Sequence, residues 1–177
     1  MAQPTSCNAI NLGEQFDHYY PAVFKYFRYR GADSDTANDL AAAVFERALA
    51  KMNTFDPKKA AFNTWIFTIA HNMGINHWKT QTRVQAVSID QAQPGSDPPP
   101  EDAIIHREEI TALLTALSEL EDREREVVGL KFSGALTNRQ IAELVNLTAS
   151  NVGVILYRAI HKMKLELEGT EGQVRHE

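Results

Sequence analysis

The chain has little of what small proteins commonly use for chemistry. Only one of its 177 residues is a cysteine, Cys7, so no internal disulfide can form. Cys7 lies in a stretch (MAQPTSCNAINLGE) that reads as a disordered tail, where it is expected to be an inert surface thiol. That stretch lacks a basic start followed by an apolar core, so no secretory signal is expected. No run approaches the ~20 apolar residues of a membrane span, and membrane insertion is not expected either. Together these absences fit a cytoplasmic protein. There is no phosphate loop, nucleophile elbow, HExxH motif or zinc-type cysteine–histidine spacing. His71 and His77 do not fall on one helical face, which argues against a metal pair. The expectation is a protein that is not an enzyme, with no catalytic, metal-binding or cofactor-binding residues. No repeat of about 20–50 residues is visible, and no strand pattern of useful length appears.

Positive charge is also scarce. The net charge is −5, where a free-standing DNA binder would show a basic patch. The acidic excess is uneven. Residues 1–83 carry nine Lys/Arg and seven Asp/Glu (+2), whereas residues 84–105 carry none and four (−4). Residues 106–168 carry eight and ten (−2), and the rest adds −1. If the chain binds DNA, another molecule supplies part of the attraction to phosphate.

The strongest signal in what is present runs from Thr137 to Lys164 (TNRQIAELVNLTASNVGVILYRAIHKMK). Thr137 and Gln140 have capping-box spacing, which satisfies free amides at a helix start. Ile141, Ala142, Leu144 and Val145 form the apolar side of a short helix. The chain turns through Asn146, Leu147 and Thr148, and Thr148 is placed to cap a second helix. There Val152, Leu156, Ala159, Ile160 and Met163 recur at three- and four-residue steps. Two helices joined by so short a turn form a helix-turn-helix, which lays its second helix in the DNA major groove.

Earlier in the chain, Phe16, Tyr20, Val23, Phe24 and Phe27 have helical spacing up to a stop at Gly31. A second helix starts at Ser34 or Asp35, with Leu40, Val44, Ala48 and Met52 on one face. Phe45 falls off that stripe, so it is expected to be partly exposed and available to a partner. Thr54-Phe55-Asp56-Pro57 ends the segment. A third helix begins near Ala60, with Phe62, Trp65, Ile66, Ile69 and Met73 on one side. Gly74 is a point where it could break. Asn72, Asn76, His77, Trp78 and Lys79 then interleave amides, aromatics and base, as single-stranded nucleic acid requires. The alternative is a solvated helix end with Trp78 packed on a neighbour.

From Val84 to about Asp102 the composition turns to proline, glycine and acid, marking a linker. It is long enough to hold two helical domains well apart. Helical periodicity resumes at Ile110, Leu113, Leu114, Leu117 and Leu120. Val127, Val128, Leu130 and Phe132 can then close over that helix. Acidic clusters such as Glu119-Leu120-Glu121-Asp122 read as solvated faces. The expected division is a disordered tail (1–12), a first domain (13–83), a linker (84–105), a second domain (106–168) and a disordered tail (169–177). The fold class is all-α: two small helical domains on a flexible linker.

These stretches, in this order, resemble a bacterial RNA polymerase sigma factor of the extracytoplasmic-function (ECF) group of the sigma-70 family. YYPAVFKYFR resembles the first helix of a sigma-2 helical bundle. NDLAAAVFERALAKMNTFDP resembles the helix that docks on the polymerase β′ clamp helices. AAFNTWIFTIAHNMGINHWK resembles the stretch that melts and reads the downstream promoter element. LSELEDREREVVGLKFSGALTNRQIAELVNLTASNVGVILYRAIHKMK resembles the sigma-4 domain, which reads the upstream element and leans on the β flap. The resemblance implies polymerase contacts at Asp39, Leu40, Phe45 and Arg47. It implies downstream-element contacts at Asn72, Asn76, His77 and Lys79, with Asn72 capturing a flipped base. Thr148, Ser150, Asn151, Val154, Tyr157 and Arg158 would meet the upstream element. Core polymerase and promoter DNA are thus the implied partners, with control expected from a separate anti-sigma factor or from expression, since no further C-terminal domain is expected. The chain differs from many relatives in having Gly153-Val154-Ile155 for Lys-Ser-Arg, and Asn76 where aspartate is common.

Two other readings fit parts of the sequence. One is a stand-alone helix-turn-helix regulator, identified by operator binding without polymerase. The other is a sigma-like interaction adaptor that has lost DNA reading, which the cation-poor Gly153-Val154-Ile155 would favour.

Overall fold

The computed structural model describes residues 12–85 and 101–174. Seven α-helices build it: α1 (Leu12–Tyr29), α2 (Ser34–Ala50), α3 (Phe62–Gln85), α4 (Glu101–Ser118), α5 (Asp122–Phe132), α6 (Asn138–Val145) and α7 (Ala149–Val174). A single 3-10 turn, Met52–Thr54, follows α2, and no strand occurs among the described residues.

Local chemistry places most boundaries. Gly31 ends the first helical segment at φ +96°, a conformation glycine adopts freely. Asp33 caps α2 by accepting from the Thr36 N–H at 2.8 Å. Thr137 and Gln140 form the expected capping box at α6. Asn146 closes α6 in the left-handed region at φ 55°, and Thr148 Oγ1 accepts from the Asn151 N–H at 3.2 Å as α7 begins.

Several expectations change. Of the linker expected over 84–105, residues 86–100 lie outside the described residues, as do 1–11 with Cys7 and 175–177. α3 runs on to Gln85, and α4 starts at Glu101 directly after three prolines, residues that suit the entry to a helix. α7 continues to Val174, because extending a formed helix adds one hydrogen bond per residue fixed. Gly74 does not break α3. A side chain there would meet the Trp78 ring at 2.6 Å, so the glycine makes room for that ring inside a continuous helix.

The main difference is in packing. The two helical halves do not sit apart: α5 packs on α1, and α6 reaches α3. One buried cluster runs through both halves, from Val23, Phe27 and Ile66 to Leu130, Ile141 and Val152. Tyr26 and Phe67, which lie off the stripes read from α1 and α3, are fully buried because the second half covers them. Burial pushes the Tyr26 hydroxyl pKa well above the usual tyrosine range. Backbone meets side chain closely here. A Cβ on Gly129 would lie 3.0 Å from the Tyr26 ring, and one on Gly134 would lie 3.1 Å from Phe67.

Candidate nucleic-acid and polymerase interface

Within the helix-turn-helix, the apolar side of α7 is mostly buried: Val152, Leu156 and Ala159 join the core, while Ile160 stays exposed. The opposite side carries the expected upstream-element residues. Ser150, Asn151 and Arg158 are exposed, Val154 is 44% exposed and Tyr157 73%. Steps of three and four residues bring these five onto one face. Thr148 is exposed in the turn, but its hydroxyl is engaged in capping α7. Gly153 and Ile155 are half-buried and lie off this face; the nearest atom to a Cβ on Gly153 would be Asn138 Nδ2 at 3.7 Å.

α5 and α7 are locked together through Glu124. Its carboxylate accepts from Lys162 Nζ at 2.8 and 3.0 Å, and it closes a capping box with Glu121 at the start of α5. Burial alone would raise the Glu124 pKa, yet the Lys162 ammonium and the Glu121 N–H outweigh it and hold that carboxyl below the usual range. Glu119, Glu121 and Asp122 are solvated, as read from the sequence. Phe132 is exposed rather than closed over α4, because it occupies the last position of α5, where the chain turns away.

On α3, Asn72, Asn76 and Lys79 are exposed and follow helical steps along one side. His77 is half-buried, with its ring edge-on to Trp78 at 5.5 Å. Trp78 packs against Phe27 at 6.3 Å and lies 4.5 Å beneath the Arg30 guanidinium, so it supports the helix end rather than offering a free stacking face.

On α2, Asp39 and Arg47 are exposed and Leu40 is half-buried. Phe45 is 5% exposed, which corrects the expectation of an available ring. It packs against Phe16 and Tyr20 at ring-centroid distances of 4.8 and 5.8 Å, because α1 crosses over the Ala37–Ala41–Phe45 row of α2. At 100° per residue Phe45 lies roughly 120–140° around the helix from Asp39 and Leu40. Phe45 lines an open groove of about 430 Å³ together with Phe16, Ala42 and the exposed Leu49.

Among the described residues no group of three His, Cys, Asp or Glu side chains could hold a metal, and no helix is long and apolar enough to cross a membrane.

A family model for Sigma-70 region 2 matches residues 15–84, and one for Sigma-70 region 4 matches residues 110–163. The chain is 28% identical to the ECF RNA polymerase sigma factor BldN of Streptomyces coelicolor over 86% of its length and 58% of BldN's. It is 26% identical to the ECF RNA polymerase sigma factor RpoE of Cereibacter sphaeroides, covering 86% of this chain and 84% of RpoE. With the RNA polymerase sigma factor YlaC of Bacillus subtilis it shares 28%, over 94% and 95% of the two chains. The chain belongs to the ECF group of the sigma-70 family. Its fold is that of the sigma factor RpoE solved in complex with the anti-sigma factor NepR from Bartonella quintana: TM-score 0.71 at 19% identity, over 89% of this chain and 97% of that one. CnrH in complex with the cytosolic domain of CnrY is similar at TM-score 0.63 and 19% identity, over 89% and 88%. The region 2 match thus runs from within α1 to within α3, and the region 4 match falls within α4–α7.

Sequence reasoning missed the charges buried between the halves. Glu126 of α5 is 5% exposed and meets Arg30 and His71 of the first half. The available signal was Gly129, since a glycine inside a helix usually marks a close packing contact.

Proposed function

We propose that this chain is a sigma factor that binds core RNA polymerase, directs it to a two-part promoter and takes part in opening the DNA. The observation that carries this reading is the exposed polar face of α7 on a capped helix-turn-helix, in a chain that presents a second polar row on α3. In the major groove Asn151 can pair with adenine, Arg158 with guanine, and Val154 can contact a thymine methyl group. Ser150 and Tyr157 add hydroxyl donors and acceptors. This side-chain set reads base edges without the cations absent at Gly153-Val154-Ile155.

Asn72 and Asn76 offer amides to separated bases of the downstream element, with Lys79 on the backbone. His77 contributes by bracing Trp78. Asp39, Leu40 and Arg47 form the contact with the β′ clamp helices, and the second half leans on the β flap. Phe45 supports that contact from beneath. The acidic net charge fits a subunit whose hold on DNA comes mainly through polymerase. Such a protein works in the cytoplasm and performs no catalytic step of its own. A separate anti-sigma factor is the fitting regulator, because the similar RpoE structure contains one.

The test is transcription in vitro with bacterial core polymerase and a genomic promoter library. Specifically initiated transcripts are expected and would reveal both promoter elements. Polymerase binding without initiation would favour the adaptor reading, and no polymerase binding would favour the free-standing regulator.

A further inference from the structure

One charged cluster lies outside the surfaces assigned above, at the junction of the two halves. Glu126 Oε1 is 3.1 Å from Arg30 Nη1 and 3.0 Å from His71 Nδ1. Its Oε2 is 3.4 Å from Arg123 Nη1 on its own helix. The Arg30, His71 and Glu126 side chains are each about nine-tenths shielded from solvent. Arg123 is half-exposed and donates to the Val145 carbonyl at 2.7 Å, so its hold on Glu126 is secondary.

The two first-half partners have a particular setting. His71 is the residue before the exposed Asn72, and Arg30 lies over Trp78 at the end of α3. Both therefore adjoin the helix end assigned to the promoter strand. A guanidinium takes a carboxylate or a phosphate through the same oxygen geometry. A buried carboxylate oxygen 3.1 Å from Arg30 and 3.0 Å from His71 therefore occupies the place a phosphate oxygen would take, while His71 Nδ1 keeps no aligned hydrogen bond in the closed form. Separating the halves would withdraw Glu126 and leave two desolvated donors without their anion.

We propose that Arg30 and His71 form a binding site for the phosphate backbone of single-stranded DNA, and that Glu126 fills this site while the two halves are closed. The inference rests on the sigma reading for which strand is bound. Its geometry stands on the Arg30–Glu126–His71 contact alone. Closure thus masks the site, and opening exposes it beside Asn72.

The probe is a fluorescein-labelled dT20 oligonucleotide, titrated into the full chain by anisotropy over a salt series. Glu126→Gln removes the masking charge. Gly129→Leu wedges the junction instead, since the nearest atoms to a Cβ there all belong to Tyr26. Each variant should bind dT20 up to about a hundredfold more tightly if the closed form holds about 99 molecules in a hundred. The salt slope should steepen by about 0.7 for each added phosphate contact. Arg30→Gln placed on Glu126→Gln should abolish the gain. A purely structural role for Glu126 would change melting but leave the salt slope unmoved.

The wild-type chain supplies a measurement that needs no variant to fold. Saturating dT20 should increase its radius of gyration in small-angle scattering, and inorganic phosphate at equal charge should not. An unchanged radius overturns the proposal, as does a gain that survives Arg30→Gln. Opening by inorganic phosphate alone would make this a small-anion site and would also overturn it. Binding and initiation with core polymerase are read separately. A chain that gains dT20 affinity but never engages polymerase keeps the strand site and loses the sigma reading.

Discussion

Replacing Glu126 by glutamine removes a charge while nearly preserving shape, so its cost isolates the ion pairs at the junction. Burial on its own would raise the Glu126 pKa. The His71 and Arg30 contacts outweigh that and, with Arg123, hold the carboxyl below the usual glutamate range. A carboxyl depressed in the folded state adds stability that is complete above its unfolded pKa, about 4.3. That stability is lost as the pH falls through the lower folded value. The gap between wild type and variant should therefore be widest at neutral pH and should narrow as the pH falls below about 4. Removing one partner from a buried pair costs about 3–5 kcal/mol. Glutamine keeps an acceptor toward Arg30, which places the expected loss near 3 kcal/mol at pH 7 on the same scale. The loss is also capped: once separating the halves is easier than unfolding them, further destabilisation appears as opening. Urea denaturation followed by circular dichroism at pH 7 and pH 3.5, with scattering to detect opening, measures both. An equal gap at the two pH values would refute the electrostatic account. A gap under about 0.5 kcal/mol at pH 7 with no opening would show that the ion pairs contribute nothing net.

Asn72→Ala should impair promoter opening, seen by permanganate footprinting, while polymerase binding is retained; loss of both would show that its role was misplaced. Arg158→Ala should weaken use of the upstream element by about 1–3 kcal/mol, and an unchanged promoter preference in competition transcription would sink the base contact. Phe45→Ala should lower stability by about 3–5 kcal/mol, because it empties the space against Phe16 and Tyr20. If stability holds and only polymerase affinity falls, Phe45 is a contact residue after all.

What could be read from the sequence depended on how many partners each helix has. α6 and α7 obey local rules, because Thr137, Gln140 and Thr148 act within a few residues and the buried stripe of α7 meets its own domain. α2 was harder. Phe45 looks off-stripe when only a Leu40–Val44–Ala48 face is counted, but α1 covers a wider arc than one stripe. α1, α3 and α5 defeat one-sided periodicity altogether. Tyr26 and Phe67 face the second half of the chain at Gly129 and Gly134, and no spacing within α1 or α3 encodes a neighbour that arrives so much later in the sequence. Glu126 carried no signal for the same reason: its cations, Arg30 and His71, belong to the other half.

The closed arrangement also constrains how polymerase could act on this chain. Fully burying a large apolar side chain is worth roughly 1.5–3 kcal/mol, so Tyr26 and Phe67 alone give closure a hold of several kcal/mol. A partner can shift such an equilibrium only by binding one state better than the other. Asp39 and Arg47, the contact proposed for the β′ clamp helices, are exposed in the closed form, so docking there would bind open and closed chains alike and open nothing. Shifting a population from 1:99 to 99:1 takes about 5.5 kcal/mol of preference. That preference must come from surfaces that exist only when the halves part: the second half reaching its own polymerase site, and a DNA strand replacing Glu126 at Arg30. A polymerase fragment carrying only the β′ clamp helices should therefore bind the chain without enlarging it, whereas core polymerase should separate the two halves. Distance measurements between labels on α2 and α7 would distinguish the two outcomes, and opening by the fragment alone would refute the argument.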